Sequence, residues 1–465
     1  MFLDIDKRER NIPALIDDSG AVLTYGELAK QTERIGGLAE KRALVFCLCK
    51  NCIGAAIGYF AFLNGGQVPL LLGNDLDESL LNTFMDTYRP AYLWYPEGRR
   101  LPIAAREIES CYGYVLARTE EEIYPMHAAL SMLLPTSGST GEPKLVRHRL
   151  ENVTKNARNV SVAFGIQADD RALLSLPMQY TMGLNVMTSH IYSGAAVVLT
   201  EYGLASMDFY RIFKERAITS YTGVPYCYEI LSRLRFVRSE WPSLRTLSVG
   251  GGRLSDKLIN EFAGYCERSG KAFISSFGQT ECTARMAMLP PEMALKKVGS
   301  IGKAIPEGRL YLIDEAGNEL SGAAEGEMCY EGPNVTMGYA QCREDLLKGD
   351  EWHGVRHTGD IAKRDEDGYY FITGRISRFL KLFGIRISLD QMEKSIAAEL
   401  NTECACAGTD KKMRIYLTDA TKADAAVAFA SATTGVLRSA FGAVVVDEIP
   451  KNATGKVLYA KLPAE

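Results

Sequence analysis

Short apolar runs alternate along this chain with segments of helical period, and this alternation constrains the fold more than any other feature. ALVFCLC, AAVVLTE, LRTLSVGG and AFISSFG have strand character, whereas residues 150–164 and 207–216 repeat their apolar side chains at helical spacing. This element order predicts an α/β fold with layered, mostly parallel sheets and helices. Ligands bind beyond the carboxyl ends of such strands, so the glycines that follow these runs are candidate binding loops. They are Gly138, Gly141, Gly250 to Gly252, and Gly278.

The pattern changes near residue 360. RHTGDIAKRDEDGYYFITGR alternates short strands with charged turns, as a small antiparallel module does. Ser388 and Gln391 then have capping-box spacing before a helical stripe, and MRIYLT and AVVVDEI supply further strands. We therefore predict two domains, a large N-terminal domain over residues 1–375 and a small, mobile C-terminal α+β domain over residues 376–465.

The charge balance and the targeting signals narrow the function classes. The 465 residues include 53 Lys and Arg and 57 Asp and Glu, a net charge of −4, which gives no reason to expect nucleic acid as a partner. Charged residues already occur within the first ten positions, MFLDIDKRER, and this pattern predicts no secretory signal. The apolar run from Ile53 to Leu63 is too short for a membrane span and predicts a buried helix followed by a strand. We expect a cytoplasmic protein.

The cysteines predict reduced thiols. Eleven is an odd number in a long chain without a secretory signal, which disfavours a disulfide framework. Cys47, Cys49 and Cys52 lie close together, but FCLC has the pattern of a buried strand and no second Cys/His pair follows at ligand spacing. Zinc is therefore disfavoured.

The segment from Thr136 to Lys144, TSGSTGEPK, carries the strongest chemical signal. It combines four hydroxyl residues, two glycines and a lysine directly after the apolar run ALSMLLP. Hydroxyl groups, approachable backbone N–H groups and a cation are what a polyphosphate requires. The spacing is not that of a Walker loop. A flexible linker is the other interpretation, but linkers rarely lie between a buried strand and a helix.

Five segments in order resemble the motifs of the adenylate-forming superfamily, which includes acyl-CoA synthetases, aryl acid ligases, luciferases and carrier-protein-loading adenylation domains. TSGSTGEPK resembles the phosphate-binding signature of this superfamily. SSFGQTE, GEMCYEGPNVTMGY, HTGD with GRISRFLKLFGIRIS, and PKNATGK follow in the family order. The resemblance runs from about Leu23 to Lys461. It implies that ATP and Mg²⁺ are used to activate a carboxylic acid.

The resemblance implies an ATP site with several parts. Phe277 offers a ring for adenine where the family more often has tyrosine, although a core phenylalanine is the alternative. Thr280 and Glu281 present hard oxygen atoms, and the family glutamate coordinates the Mg²⁺ on ATP. Asp360 is the implied ribose ligand and Arg375 a ribose or phosphate ligand. The other implied ATP-binding residues are Thr136, Ser137, Gly138, Ser139, Thr140, Gly141, Lys144, Gly250, Gly251, Gly252 and Gly278.

The resemblance also implies two half-reactions on two faces of the small domain. Lys456 is the implied catalytic lysine and stabilises charge on the α-phosphate and the substrate carboxylate, with Thr280 and Glu281 beside it. The small domain then rotates about Ser377, where the family usually has Asp or Lys. This rotation brings a loop with Lys381, Gly384 and Arg386 over the site. A pantetheine thiol, from CoA or an acyl carrier protein, then takes the acyl group.

The acyl pocket has a less definite pattern. In LPMQYTMGL the uncharged Tyr180 stands where amino-acid-activating relatives place an aspartate, and burying an unpaired ammonium costs several kcal/mol. An acid without a free α-amino group is therefore favoured. The candidate pocket walls are Tyr180, Gly183, Tyr221, Gly223, Val224, Gly250 and Met286. Ordinary core packing is an equal alternative for Tyr221 and Met286.

Two other functions remain open from the sequence. An aminoacyl-carrier-protein ligase of the D-alanine-loading kind requires a counter-charge for the substrate ammonium from elsewhere in the chain. A catalytically silent nucleotide-binding protein is the second alternative. Retention of Lys456, Glu281, Asp360 and Arg375 argues against it.

Overall fold

The computed structural model describes residues 1–136, 144–382, 385–409, 411–452 and 455–463. The chain divides into two compact units, one formed by residues 1–309 and 331–356 and the other by residues 310–330 and 357–465. This division reports which residues pack together. The predicted domain boundary after Arg375 concerns which parts move together, and it stays a prediction.

The described residues form ten α-helices and twenty-six strands. The helices are α1 Tyr25–Gly36, α2 Ile53–Gly65, α3 Glu78–Tyr88, α4 Leu150–Phe164, α5 Thr181–Ser193, α6 Met207–Glu215, α7 Pro225–Arg233, α8 Asp256–Arg268, α9 Leu389–Leu400 and α10 Ala423–Thr434. The strands are β1 Pro13–Ile16, β2 Val22–Thr24, β3 Leu44–Cys49, β4 Val68–Gly73, β5 Tyr92–Pro96, β6 Ala105–Cys111, β7 Tyr114–Thr119, β8 Leu130–Thr136, β9 Lys144–Arg149, β10 Arg171–Leu174, β11 Ala196–Leu199, β12 Ser220–Gly223, β13 Thr246–Val249, β14 Ala272–Phe277, β15 Ala287–Leu289, β16 Lys303–Ala304, β17 Arg309–Ile313, β18 Ala324–Glu331, β19 Tyr339–Ala340, β20 Val355–Arg364, β21 Tyr370–Arg375, β22 Phe379–Leu382, β23 Ile385–Ser388, β24 Cys404–Thr409, β25 Lys412–Leu417 and β26 Phe441–Val445.

Two large sheets build the first unit. One has the order β16-β15-β14-β13-β12-β10-β11-β1-β2, and its strands from β14 to β1 pair in parallel. The other has the order β19-β9-β8-β4-β3-β5-β7-β6, with a parallel centre from β8 to β5. The predicted α/β class with mostly parallel sheets is confirmed.

Helix α2 is buried on every side and shows why the apolar run from Ile53 to Leu63 is not a membrane segment. Its residues join β3 and parts of α1 and α5 in one continuous core cluster. A methyl group at Gly36 of α1 would lie 2.6 Å from the carbonyl oxygen of Ala61, so the two helices pack backbone to backbone. In the part of the chain that the structure describes, every helix is too short or too polar to cross a bilayer.

The second unit has smaller sheets. A four-stranded sheet has the order β17-β18-β20-β21, β22 and β23 form a hairpin, and a three-stranded sheet has the order β24-β25-β26. Helices α9 and α10 share a core cluster with the β22–β23 hairpin and the three-stranded sheet. As predicted, Ser388 caps α9, because its hydroxyl accepts a hydrogen bond from the backbone N–H of Gln391.

Candidate active site

Three adjacent strands of the first unit end at the glycines that the sequence singled out. Strands β12, β13 and β14 are parallel neighbours, so Gly223, Gly250 and Gly278 lie at or just beyond the same sheet edge. A methyl group at Gly250 would lie 2.6 Å from Cε of Met182 and 2.8 Å from Oγ of Ser276. The edge is therefore closely covered by the first turn of α5, and a side chain at position 250 would require Met182 and the Ser276 hydroxyl to move.

The loop after β14 folds back on its own start. A methyl group at Gly278 would lie 1.5 Å from the carbonyl oxygen of Ala284, a crossing that only glycine allows. Thr283 and Ala284 have φ values of 53° and 92°, a strained left-handed conformation for side-chain-bearing residues. Met286 N–H donates to the carbonyl of Phe277 at 2.9 Å and closes the loop. Strain of this kind concentrates in functional loops.

Glu281 has partners that fix its carboxylate. Tyr339 donates its hydroxyl to Oε1 of Glu281 at 2.5 Å, and Nη2 of Arg356 lies 3.8 Å from the same oxygen. The Arg356 guanidinium also lies 4.5 Å from the centre of the Trp352 ring. Burial, and then the negative charge of Glu281, raise the pKa of Tyr339, so this phenol stays a hydrogen-bond donor. Tyr339, Trp352 and Arg356 were not identified from the sequence.

The predicted phosphate loop begins and ends beside this group. The Thr136 hydroxyl donates to the carbonyl of Lys144 at 3.3 Å across β8 and β9. Nζ of Lys144 lies 5.7 Å from the Tyr339 ring centre, within range of a cation–π contact. Lys144 and Glu281 therefore share one neighbour. The predicted residues Ser137, Gly138, Ser139, Thr140 and Gly141 lie outside the described residues.

Thr280 and its neighbour connect the loop to α5. The hydroxyls of Thr280 and Thr181 lie 2.7 Å apart. Thr181 is the first residue of α5, directly after Tyr180. The candidate metal ligand Glu281 and the candidate pocket residue Tyr180 are thus each one residue away from this contact.

The residues around Glu281 fit a magnesium ion that arrives with ATP. Mg²⁺ is usually held by one or two carboxylates together with phosphate oxygens and water. Glu281 supplies one such carboxylate, and its side chain is 16% exposed. The fixed hydrogen bond from Tyr339 orients that carboxylate in the way that metal ligands are usually oriented.

The candidate acyl pocket is only partly assembled by the structure. A methyl group at Gly251 would lie 3.3 Å from Cγ1 of Val224 and 3.4 Å from Cε of Met182, so Val224 and Met182 both contact the space beside Gly251. A methyl group at Gly183 would lie 2.4 Å from the carbonyl oxygen of Pro177, which fixes the start of α5.

The two aromatic candidates for the pocket differ. Tyr180 is 42% exposed. Tyr221 is buried and packs edge-on against Phe209 at 5.8 Å, and Ser175 donates to its hydroxyl at 3.4 Å. Its ring also lies beside the candidate wall Gly223, because Cε1 would lie 3.2 Å from a methyl group there. Both assignments stay predictions.

Arg285 is a further residue that sequence reasoning missed. It precedes the buried candidate Met286 and is itself only 2% exposed. Its guanidinium donates to Asn185 and lies 3.5 Å from the hydroxyls of Thr222 and Ser276. The signal in the sequence was an arginine inside the run ARMAML directly after the SSFGQTE motif.

In the second unit the structure pairs two predicted nucleotide ligands. Asp360 and Arg375 face each other across β20 and β21, and Nε of Arg375 donates to Oδ1 of Asp360 at 2.8 Å. The Asp360 side chain is 2% exposed, whereas that of Arg375 is 56% exposed. The backbone N–H of Asp360 also donates to the Thr358 hydroxyl at 3.1 Å. Their roles toward ribose and phosphate stay predictions.

Lys456 lies exposed at the end of a tight turn. Asn452 accepts the backbone N–H of Lys456 on its side-chain oxygen at 2.9 Å and donates its own N–H to the Lys456 carbonyl at 2.9 Å. Gly455 has a φ of 78°, which the turn requires. The side chains of the predicted hinge Ser377 and of Lys381 and Arg386 lie outside what is described, as does Gly384.

A half-buried cluster of charged side chains fixes the segment that follows Lys456. Arg378 pairs with Asp390 and lies 2.5 Å from Glu393, and its guanidinium stacks 3.6 Å from the ring centre of Tyr459. The Tyr459 hydroxyl donates to Glu393 at 3.1 Å. The chain three residues after Lys456 is thus attached to α9.

Residues 4–340 match the protein family described as AMP-binding enzyme. Among curated proteins, a 2-succinylbenzoate–CoA ligase of Bacillus licheniformis is 29% identical over 339 residues, which cover 71% of this chain and 69% of the relative. An oxalate–CoA ligase of Arabidopsis thaliana is 30% identical over 263 residues, 56% of this chain. The matched part spans only 50% of that relative's length.

Solved structures agree in fold. An O-succinylbenzoate coenzyme A synthetase from Bacillus subtilis, in complex with its acyl-adenylate intermediate, superimposes with a TM-score of 0.78. The sequence identity is 22%, and the alignment covers 97% of this chain and 95% of that one. The same enzyme in complex with ATP and a magnesium ion also gives a TM-score of 0.78. At this identity the likeness shows the fold.

Proposed function

The chain belongs to the AMP-binding enzyme family, and we propose on this premise that it is an ATP-dependent acid–thiol ligase that forms an acyl adenylate. The predicted superfamily resemblance is confirmed by the family match over residues 4–340. The observation that carries the proposal is the fixed Glu281 carboxylate, which shares Tyr339 with the lysine that ends the phosphate loop. A carboxylate and a lysine beside one shared tyrosine suit a site that binds Mg²⁺ and phosphate oxygens together.

The first half-reaction is a displacement at the α-phosphorus of ATP. A carboxylate oxygen of the acid forms a bond to the α-phosphorus, and the bond from that phosphorus to the oxygen bridging the α- and β-phosphates breaks. Pyrophosphate leaves with the electron pair, and the acid becomes an acyl-AMP. Mg²⁺, when bound, neutralises charge on the phosphates. Glu281 would hold it, and the hydroxyl of Tyr339 keeps Glu281 in place.

Lys456 is the proposed cation for this step. Its ammonium group would stabilise charge on the α-phosphate and on the attacking carboxylate as pyrophosphate leaves. The turn from Asn452 to Lys456 fixes the lysine backbone while the side chain stays exposed. Asp360 and Arg375 would bind the ribose hydroxyls and the neighbouring phosphate oxygens.

In the second half-reaction a thiol takes the acyl group. The thiolate sulfur forms a bond to the acyl carbonyl carbon, the bond from that carbon to the phosphate oxygen breaks, and AMP leaves. The thiol proton goes to solvent. CoA is the proposed acceptor because the named relatives are CoA ligases. The phosphopantetheine of an acyl carrier protein carries the same thiol and is the second acceptor to test.

The reaction is tested by ATP–pyrophosphate exchange with a panel of monocarboxylic acids, dicarboxylic acids and amino acids. Exchange with acids that lack an α-amino group supports the proposal. Exchange with amino acids alone supports an aminoacyl-carrier-protein ligase. ATP binding by calorimetry without exchange for any acid would leave a silent nucleotide-binding protein.

Lys456→Ala separates the two half-reactions. We expect exchange to fall by the equivalent of about 2.7 to 4 kcal/mol, the usual effect of removing one such donor, while supplied acyl adenylate is still converted to thioester. Lys451→Ala is the matched control, because Lys451 lies in the same hairpin and pairs with Glu403 instead. Equal losses in both half-reactions with Lys456→Ala contradict the two-step assignment.

A further inference from the structure

Arg285 is a buried cation without an acidic partner. Among the described residues, its side chain is one of the largest that are fully buried. Among the described residues no carboxylate pairs with its guanidinium, and only burial, with no neighbouring charge, lowers its pKa, to about 10. The group is therefore still charged at pH 7. Buried charges in proteins are normally paired or bound to a ligand.

The neighbours of this guanidinium are all neutral. The side-chain oxygen of Asn185 accepts from Nη1, and Asn185 is in turn held by donation to Asn156 at 2.8 Å. The hydroxyls of Thr222 and Ser276 lie 3.5 Å away, at the limit of a hydrogen bond. Both hydroxyls have closer partners, since Thr222 lies 2.7 Å from Ser248 and Ser276 donates to Val249 at 3.0 Å. The charge is solvated weakly.

Hydrogen bonds hold the backbone of Arg285 in place. The side-chain amides of Asn156 and Asn334 donate to its carbonyl at 2.8 and 3.2 Å. The guanidinium also lies 4.6 Å from the centre of the Phe164 ring, at the end of α4. Arg285 is thus fixed before any ligand arrives, which lowers the entropy cost of binding.

The position of the guanidinium relates it to the candidate acyl pocket. Ser276 Oγ lies 3.5 Å from Nε of Arg285 and would lie 2.8 Å from a methyl group at Gly250, a predicted pocket wall. Met182 would lie 2.6 Å from the same methyl group, and it is an unbranched, adaptable side chain. Ser276 therefore lies beside both the guanidinium and the predicted pocket wall Gly250, and the Met182 side chain covers the same glycine.

We propose that Arg285 is the specificity residue for a second carboxylate on the acid substrate, so that the enzyme activates a dicarboxylic acid. This inference rests on the proposed function and names the substrate class of the same site. One carboxylate of the acid attacks ATP, while the other stays unreacted and pairs with Arg285. The planar guanidinium fork fits a carboxylate in a two-point contact. A monocarboxylic acid would leave the charge unpaired.

The wild-type enzyme tests the proposal without any substitution. ATP–pyrophosphate exchange is measured with linear and aromatic dicarboxylic acids and with the monomethyl ester and monoamide of each. We expect kcat/KM for the best diacid to exceed that of its own ester and amide by about 100-fold or more, because a site built for a polar group rejects analogues that lack it. Equal rates for a diacid and its monoester overturn the inference and leave the proposed function intact. Exchange with no acid at all overturns both.

Variants of Arg285 identify the group responsible. Arg285→Gln removes the charge and is expected to abolish the preference for the diacid, mainly through KM, while exchange with the monoester persists. Arg285→Lys keeps a charge without the fork and is expected to keep the order of preference at reduced kcat/KM. Arg211→Gln, an exposed arginine on α6, is the control.

Two outcomes of the variant experiment count against the proposal. A full diacid preference in a folded Arg285→Gln enzyme assigns the second carboxylate to another group and overturns the inference. An equal loss for diacid and monoester shows that Arg285 only supports the fold, and it also overturns the inference. If Arg285→Gln fails to fold, Arg285→Lys decides, because a selective rise in the diacid KM supports the proposal and an unchanged KM overturns it.

Discussion

Two arginines, the buried Arg285 in the first compact unit and the half-buried Arg378 in the second, lie in opposite electrostatic environments. Arg378 in the second unit pairs with Asp390 and Glu393 and stacks on Tyr459. Arg285 in the first unit is more deeply buried, yet its partners are an amide oxygen and two distant hydroxyls. A cation whose counter-charges are supplied by its own chain stabilises structure. A cation without them is arranged to receive a charge from outside.

The largest expected difference between the two arginines is in stability. Arg378→Met leaves Asp390 and Glu393 without this partner, and we expect it to lower the free energy of unfolding by about 3 kcal/mol, the lower end of the range for a buried pair, because these side chains are half-buried. Urea denaturation measures this. Arg211→Met on the surface of α6 is the matched control and should change stability by less than about 0.5 kcal/mol. A loss from Arg378→Met as small as that of the control would remove the structural half of the comparison.

The pH dependence of stability reports on the environment of Arg285. Burial, assisted by the nearby Arg285 charge, lowers the pKa of His190 to about 4, below the ordinary value of 6.5. The unfolded chain therefore binds more protons between these two values. His190 then contributes a loss of stability of about 1.4 kcal/mol per pH unit as the pH falls through that window.

His190→Asn should flatten the pH dependence between pH 6.5 and 4 by this amount in denaturation curves. His148 is buried with a similarly lowered pKa and keeps its own contribution. The exposed His353→Asn is the control. An identical slope in wild type and His190→Asn would show that His190 is not held neutral by its surroundings.

A smaller loss of stability is expected from a change at Tyr459, which lies in the second unit together with Arg378 and Lys456. Tyr459→Phe removes the hydroxyl that donates to Glu393 but keeps the ring over Arg378. We expect a loss of about 1 kcal/mol in unfolding free energy, since one hydrogen bond is lost. The kcat of ATP–pyrophosphate exchange should fall, while the KM of the acid should stay unchanged. A change in the KM of the acid alone would contradict a positioning role.

The smallest stability change is expected where the buried charge is unpaired. Arg285→Met removes weak hydrogen bonds and, with them, the cost of burying the guanidinium, so the two effects offset and unfolding changes by about 1 kcal/mol or less. Thermal melting with added diacid and ATP then sharpens the result. With ATP present throughout, added diacid should further raise the melting temperature of wild type and not of Arg285→Met. A loss near that of Arg378→Met would make Arg285 structural.

The sequence predicted the fold better than the site because the two depend on contacts of different range. Strands, capped helices and loop glycines leave local signals, and the α/β class, the buried helix α2 and the Ser388 cap were found from them. Glu281 and Gly278 were selected as site candidates because they stand inside recognisable motifs, and their roles stay predictions. These predictions needed no knowledge of distant neighbours.

The residues that were missed act only through distant neighbours. Arg285 meets Asn185 across 100 positions, and Tyr339 meets Glu281 across 58. A single sequence does not show that the residues around Arg285 lack a carboxylate. These residues come from separate strands and helices, and only the folded structure shows which of them meet. The roles of Lys456, Asp360 and the pocket walls stay predictions until the variants are measured.

The backbone crossing at Gly278 divides the loop into a part that cannot vary and a part that can. Because the Ala284 carbonyl occupies the space of a side chain at Gly278, the path of the chain past Glu281 is set by the crossing itself. The side chain at position 285 begins just beyond that point. A descendant of this protein could therefore exchange its acid by replacing one residue at position 285, while the proposed metal ligand Glu281, four positions earlier, keeps its place.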